Sequence, residues 1–183
     1  MDPIATVAAW LEAGRAARTT PEEALAVFDA LPPVRVEEIL GPWRGHEVAS
    51  GHPMDGLLKP LGWHGKTFLD AEAAFPVAFG EPATGLWYLN TALVPFRVTL
   101  KLKGFLVSPA GRVLFRLTRP LWRTHSPKAR LRMVEHRGVV SAAMIFNDLP
   151  IIDCFRKVDA TTLFGVMDRR GMAQPYVFIL TRD

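Results

Sequence analysis

The segment VVSAAMIFNDLPIIDCFRKVDATTLFGVMDRRGMAQPYVFILT, residues 139–181, decides the fold. It divides into four apolar runs separated by turn-forming residues, and each run has the length and composition of a strand. The predicted strands are 139–146, 151–158, 161–167 and 176–181. Strands that recur about every ten residues favour an antiparallel sheet closed into a barrel or sandwich. The sequence therefore predicts a mainly β fold.

Two helices are predicted at the start of the chain. Asp2 is a suitable N-cap for an amphipathic helix over residues 2–18. Thr20 and Glu23 have the spacing of a capping box, and Pro32 ends the helix that follows them. We expect these two helices to cover part of the sheet.

Positive charge is concentrated in the middle of the chain. Residues 96–137 contain eleven Lys and Arg against one acid, although the net charge of the whole chain is only +4. Apolar side chains alternate with threonine and basic side chains over residues 96–103, which predicts a strand with one basic face. Residues 112–123 instead have helical periodicity, with an arginine stripe opposite an apolar side. Pro120 should kink or break this helix near its end.

The arginine stripe of this helix has two interpretations. It consists of Arg112, Arg116, Arg119 and Arg123. A basic helix face with an apolar back predicts a peripheral contact with an anionic membrane surface, and the alternative is a solvated outer face. We do not expect nucleic acid as a partner, because no nucleic-acid-binding motif accompanies the charge.

The composition excludes several classes of protein. With 49% hydrophobic and 22% charged residues, the chain is neither disordered nor collagen-like. No apolar run approaches the ~18 residues of a membrane-spanning helix, and no secretory signal pattern begins the chain. One cysteine, Cys154, excludes an intramolecular disulfide. We therefore expect a single-domain cytoplasmic protein.

Two segments resemble nucleotide-binding and metal-binding motifs, but their residue spacing does not match either motif. Residues 62–67 end like a phosphate-binding loop, but two residues separate the glycines where four are needed. His46-Glu47 begins like a zinc-protease helix, but Ser50 stands where the second histidine should be. We therefore predict no metal and no cofactor.

The remaining reactive side chains of the C-terminal third have structural interpretations. Cys154 lies among apolar residues, which raise the pKa of a thiol and make it unreactive. Acids near strand ends are usually turn or cap residues. We expect that role for the four aspartates Asp148, Asp153, Asp159 and Asp168.

Two groups of motifs resemble a known family. GPWRG (residues 41–45) matches the Gly-x-Trp-x-Gly signature of the GXWXG protein family, and GWHGK (62–66) follows it as in those proteins. Residues 132–168 resemble the domain of unknown function that accompanies the signature. That stretch contains EHRG (135–138), PIID (150–153), FRKVD (155–159) and GVMD (165–168).

The resemblance implies a bacterial intracellular protein with a lipocalin-like antiparallel β-barrel. The length of the chain predicts one domain over residues 1–183. In that domain a helical segment (1–33) precedes a half with the signature (34–127) and a strand-rich half (128–183).

A barrel of this kind predicts a hydrophobic small molecule or lipid as ligand, bound without chemical conversion. Aromatic and methionine side chains would line the interior, and arginines would meet an anionic head group. The candidate ligand-binding residues are Trp43, His46, Trp63, His64, Arg132, His136, Arg137, Met144, Phe146, Phe155, Met167 and Phe178.

Two alternatives stay open at this point. Side chains can fill the interior of a small barrel completely, which would leave no room for a ligand. The barrel could also be an enzyme or a haem-binding protein, with His46, His64 or His136 as general base or ligand.

Overall fold

A closed ring of eight antiparallel strands forms the body of the molecule. The computed structural model describes residues 2–183, and of Arg15 the backbone alone. The strands are β1 (Gly41–Glu47), β2 (Trp63–Phe68), β3 (Ala74–Phe79), β4 (Trp87–Leu89), β5 (Arg123–Thr124), β6 (Ala129–His136), β7 (Val139–Phe146), β8 (Ile151–Lys157), β9 (Thr162–Arg169) and β10 (Tyr176–Arg182). The α-helices are α1 (Pro3–Ala13), α2 (Pro21–Ala30), α3 (Phe96–Lys101), α4 (Lys103–Val107), α5 (Pro109–Leu117) and α6 (Arg119–Trp122).

The ring runs in the order β1-β2-β3-β6-β7-β8-β9-β10 and closes where β10 pairs with β1. Strands β4 and β5 extend from β3 outside this ring. The ladder pairing of β3 with β6 is limited to one residue pair, Ala74 with Ala129, whereas β6 and β7 pair along their whole length. The ring is therefore weakest between β3 and β6. The fold confirms the predicted lipocalin-like barrel.

The two N-terminal helices cover the outside of strands β8 to β10, as predicted. The Asp2 carboxylate accepts from the first backbone N–H groups of α1, and the Thr20 hydroxyl caps α2. Trp10 of α1 and Phe28 of α2 pack against Phe164 of β9. These strands are thus buried on both faces, which explains why their sequences are nearly continuous apolar runs.

The prediction of a strand over residues 96–103 is wrong, because this segment forms α3 and the start of α4. The same four apolar residues also fit a short helix. In a helix, Phe96 and Leu100 share one side, and Val98 and Leu102 share the opposite side. Phe96 and Leu100 pack against the barrel core, while Val98 and Leu102 are half exposed. The eight-strand ring is already closed, so it offers this segment no free edge.

The helix predicted over residues 112–123 is confirmed in part. Helix α5 ends at Leu117, α6 follows with Pro120 in its first turn, and Arg123 already belongs to β5. The apolar side of this helix is buried only in part. Phe115 and Trp122 pack against the core, whereas Val113, Leu114, Leu117 and Leu121 are exposed.

The two glycine–tryptophan motifs lock β1 to β2. A Cβ at Gly45 would lie 2.2 Å from the indole of Trp63, so the first motif makes room for the tryptophan of the second. In return, a Cβ at Gly65 would lie 1.9 Å from the backbone oxygen of Trp43. Each motif therefore needs its glycine because the other motif packs against it.

Gly65→Ala is expected to lower the free energy of unfolding by at least about 2 kcal/mol, because the methyl group meets backbone that cannot step aside. Urea denaturation followed by tryptophan fluorescence measures the change. Gly104→Ala is the matched control, since nothing lies within 4 Å of a Cβ at this helical position. The control should be neutral or slightly stabilising. Equal stability of the two variants would contradict the close approach of β1 and β2.

Candidate ligand cavity

The interior of the barrel is filled in one half and open in the other. Large apolar side chains such as Trp43, Phe68 and Phe155 are fully buried and pack the filled half. The open half is a cavity of about 390 Å³, a volume typical of small-molecule sites. The barrel is therefore not completely filled by its own side chains.

Helices α3 to α6 and the turn before them cover the open half. We call residues 91–122 the cap. Phe115 of the cap lies edge-on against Phe79, with ring centroids 5.3 Å apart, and Phe79 stacks on Trp87. Phe96 anchors the other side of the cap, because the Arg169 guanidinium lies 4.1 Å from the centre of its ring. Aromatic contacts thus hold the cap over the cavity.

The cap exposes an unusual number of large apolar side chains, and two of them line the cavity. Leu117 and Leu121 are 72% and 69% exposed. Val98 and Leu102 are also half exposed, and both line the cavity. We call this set the apolar rim: Leu93, Val98, Leu102, Phe105, Val113, Leu114, Leu117 and Leu121.

One pair of opposite charges lies in the cavity wall, which is otherwise almost wholly apolar. The Nζ of Lys66 donates to the Oδ2 of Asp153 over 2.7 Å and to the backbone oxygen of Pro76 over 3.1 Å. The ammonium also lies 4.8 Å from the ring centre of Phe178. Burial raises the pKa of Asp153, and the Lys66 charge opposes that rise. Buried pairs of this kind are costly to desolvate, so this pair needs its good geometry.

Irregular pairing of β2 with β3 accompanies the inward direction of Lys66. The register shifts on both sides of Gly65, and Lys66 then stands opposite the inward-facing Trp43. Bulges next to binding sites commonly redirect a side chain in this way. Asp153 lies opposite Met144 and Met167 in the middle of β8, so the expectation of a turn or cap role is wrong for it.

The predicted ligand-binding residues divide into three groups. Trp63, Phe146, Met167 and Phe178 line the cavity. The filled half of the barrel holds Trp43, Met144 and Phe155. The other five lie away from the cavity: His46, His64, Arg132, His136 and Arg137.

The three histidines are separate from one another and from the cavity. His46 contacts the Thr181 hydroxyl, and burial lowers its pKa to about 4. His64 contacts the Asp183 carboxylate. His136 lies edge-on to Phe28 under α2, and burial lowers its pKa as well. None of these three candidate histidines lines the cavity.

The two arginines tie other elements to the barrel. Arg137 makes a bidentate pair with Asp29 of α2, with both contacts at 2.6 Å. Arg132 bonds the Glu72 carboxylate and the backbone oxygen of Ala71. Both therefore have partners outside the cavity, where they cannot reach a ligand head group.

Cys154 faces the N-terminal helices rather than the cavity. Burial raises the pKa of its thiol to about 12. Among residues 2–183, no group of three or more metal-ligating side chains comes together. In the same range, no helix has the length and apolarity to cross a membrane.

The ring, its cap and its cavity define a lipocalin-like barrel with an internal apolar site. Residues 26–83 match the family described as GXWXG protein, and residues 127–182 match the domain of unknown function DUF4334. These two matches confirm the resemblance. The chain therefore contains a segment that matches the GXWXG model and a segment that matches DUF4334, and the two segments together build one barrel.

A solved structure, the crystal structure of a protein from Thermomonospora curvata, has the same fold. It is 28% identical in sequence, with a TM-score of 0.73, and the similarity covers 100% of this chain and 99% of that one. No curated protein matches this chain at a significant level.

Neither family match includes the cap. Its residues, 91–122, lie in the interval between the two matched segments. Lys66 and Asp153 lie inside them. The polar pair of the cavity therefore belongs to the matched part of the chain, and the apolar rim does not.

Proposed function

We propose that this protein binds and carries a hydrophobic small molecule or lipid without converting it chemically. The cavity carries the proposal, because a space of about 390 Å³ with an almost wholly apolar wall favours an apolar occupant. Met54 and Met167 are part of the wall, and methionine side chains adapt to ligands of different shape.

The cap supports a second part of the proposal, contact with an anionic membrane. Residues 91–123 contain seven Lys and Arg and no acid. These charges stand next to the apolar rim, a combination that favours insertion at the boundary of head groups and acyl chains. Because Val98 and Leu102 also line the cavity, docking through the cap would bring the mouth of the cavity to the membrane surface.

Binding in the cavity is tested with the neutral fluorescent probe N-phenyl-1-naphthylamine and with Val77→Trp, a variant of a residue in the cavity wall. The larger side chain occupies the space, so we expect it to reduce probe affinity by about tenfold or more. The matched control is Val140→Trp, at a 52% exposed position on β7, which should leave probe binding unchanged.

Native mass spectrometry of the purified protein provides a second test, in which a co-purifying apolar molecule is expected. Failure of the wild-type protein to bind any apolar probe or lipid would overturn the proposed function. Equal binding by the wild type and Val77→Trp would place the bound probe outside the cavity.

A further inference from the structure

We propose that the cavity selects an apolar ligand whose polar group is an uncharged hydroxyl, and that this hydroxyl donates to the free oxygen of Asp153. This inference rests on the proposed function and names the class of its ligand. It comes from the hydrogen bonds that Lys66 makes and from the absence of a donor to the second carboxylate oxygen of Asp153 among the described residues.

Lys66 has little capacity left for a ligand. Two of its three ammonium hydrogens are directed to the Asp153 carboxylate and the Pro76 backbone oxygen. Two aromatic rings also lie beside the ammonium, with the ring centres of Phe178 and Phe146 at 4.8 and 5.9 Å from the nitrogen. An ammonium held in this way is not an open anion site.

Asp153 is different, because only one of its two oxygens has a donor. Lys66 is the only donor to this carboxylate among the residues that the structure describes, and its bond reaches Oδ2. Asp153 is 2% exposed and lines the cavity. Its Oδ1 is thus an acceptor that a molecule in the cavity can use. A ligand hydroxyl that donates to this oxygen would form a hydrogen bond to a charged acceptor, which is stronger than one between neutral groups.

The charge of the pair then excludes most other head groups. Lys66 and Asp153 together are neutral, so a bound carboxylate would add an unpaired negative charge beside Asp153. A bound ammonium would add an unpaired positive charge beside Lys66. Both would be buried in an apolar cavity, where an uncompensated charge is strongly unfavourable. A hydroxyl donates to Oδ1 and brings no charge.

Three ligands of matched size test this selection: dodecanol, undecyl methyl ether and dodecanoate. The affinity of each ligand is measured by its displacement of N-phenyl-1-naphthylamine from the wild-type protein at pH 7.5. We expect dodecanol to bind about tenfold more tightly than the ether, which cannot donate, because hydrogen bonds to charged groups contribute this much. We expect dodecanoate to bind about a hundredfold more weakly than dodecanol, because it places two negative charges together. Dodecanoate binding as tightly as dodecanol would overturn the inference.

Asp153→Asn should reverse the selection, because it leaves the Lys66 charge without a counter-ion and a ligand carboxylate can supply one. Dodecanoate should then bind more tightly than dodecanol. Asp148→Asn is the matched control, since Asp148 forms a half-buried pair with Lys128 outside the cavity. It should keep the wild-type order of affinities.

Two further variants keep the test decisive. If Asp153→Asn does not fold, the double variant Lys66→Met/Asp153→Leu replaces it, and there dodecanol should lose its advantage over the ether.

Thr91 has a buried hydroxyl without a partner in the same cavity wall. Loss of the dodecanol preference in Thr91→Val alone would assign the ligand hydroxyl to Thr91 and overturn the role of Asp153.

The outcomes also separate this inference from the proposed function. If all three ligands and the probe fail to bind, the carrier function itself fails. If the probe and the ligands bind but the acid is preferred, the carrier function stands and only the ligand class is wrong.

Discussion

Lys66→Met should lower the free energy of unfolding by about 3–5 kcal/mol, the usual cost of removing one partner from a buried ion pair. The reason lies in Asp153, which is 2% exposed and would lose its only donor among the described side chains. Urea denaturation followed by tryptophan fluorescence measures the loss. Lys128→Met breaks a half-buried pair and should cost less than about 1 kcal/mol.

The double variant Lys66→Met/Asp153→Leu isolates the cause. Replacing both charges by apolar side chains of similar size is often neutral, so most of the lost stability should return. A double variant as unstable as Lys66→Met would show that the lysine stem, and not the charge, is what the cavity wall needs.

The loss in Lys66→Met should depend on pH. Burial raises the pKa of Asp153, and the variant removes the charge that opposes the rise. The folded state then binds a proton more tightly than the unfolded state does. Stability from this group is therefore present below the ordinary aspartate pKa of about 4 and is lost as the pH rises through the folded-state pKa. The deficit against the wild type should be smaller at pH 4.5 than at pH 7.5.

The second large effect concerns the membrane. The wild type should bind vesicles that contain phosphatidylserine, and Arg112→Gln/Arg116→Gln/Arg119→Gln should weaken this binding by about a hundredfold. Each basic residue near such a surface contributes about 1 kcal/mol, so three of them give this factor. Vesicle sedimentation measures it, and circular dichroism shows that the variant is folded.

The control removes the same charge elsewhere. Arg35, Arg130 and Arg170 are exposed and lie outside the cap. Their triple glutamine variant should keep most of the vesicle binding. Binding of the wild type should also weaken at high salt, because exposed charges are screened. Equal loss in the two triple variants would mean that net charge, rather than the cap, holds the protein at the membrane.

Much of the barrel could be predicted from the sequence, because its C-terminal strands are buried on both faces. Their apolar runs leave few alternatives, and the observed strands differ from the predicted ones by no more than two residues at either end. Alternation of apolar and polar residues, by contrast, predicts the structure correctly in one segment and wrongly in another. Residues 129–132 alternate apolar and basic side chains and form a strand, whereas the alternating residues 96–103 form a helix. The available strand partner decides which structure forms. Strand β6 pairs with β7, whereas residues 96–103 have no strand beside them and form a helix.

The polar pair of the cavity could not be predicted by the same reasoning. The inward direction of Lys66 accompanies an irregular pairing of β2 with β3 around Gly65, and no period in the sequence predicts that irregularity. The sequence does contain a signal that Asp153 is not a turn residue. It stands in the middle of the apolar run IIDCF, where a strand continues and no turn is expected. Its partner is 87 residues away in the chain, so only the folded barrel brings the two together.

The single pairing of Ala74 with Ala129 has a consequence for the motions of the molecule. Strands β8 to β10 lie between two apolar layers, so we expect their backbone amides to exchange hydrogen with solvent only when the whole protein unfolds. The cap and the end of β3 next to β6 have fewer such constraints, and we expect them to open as a separate cooperative unit at a lower free energy. A ligand could therefore enter and leave while the rest of the barrel stays intact.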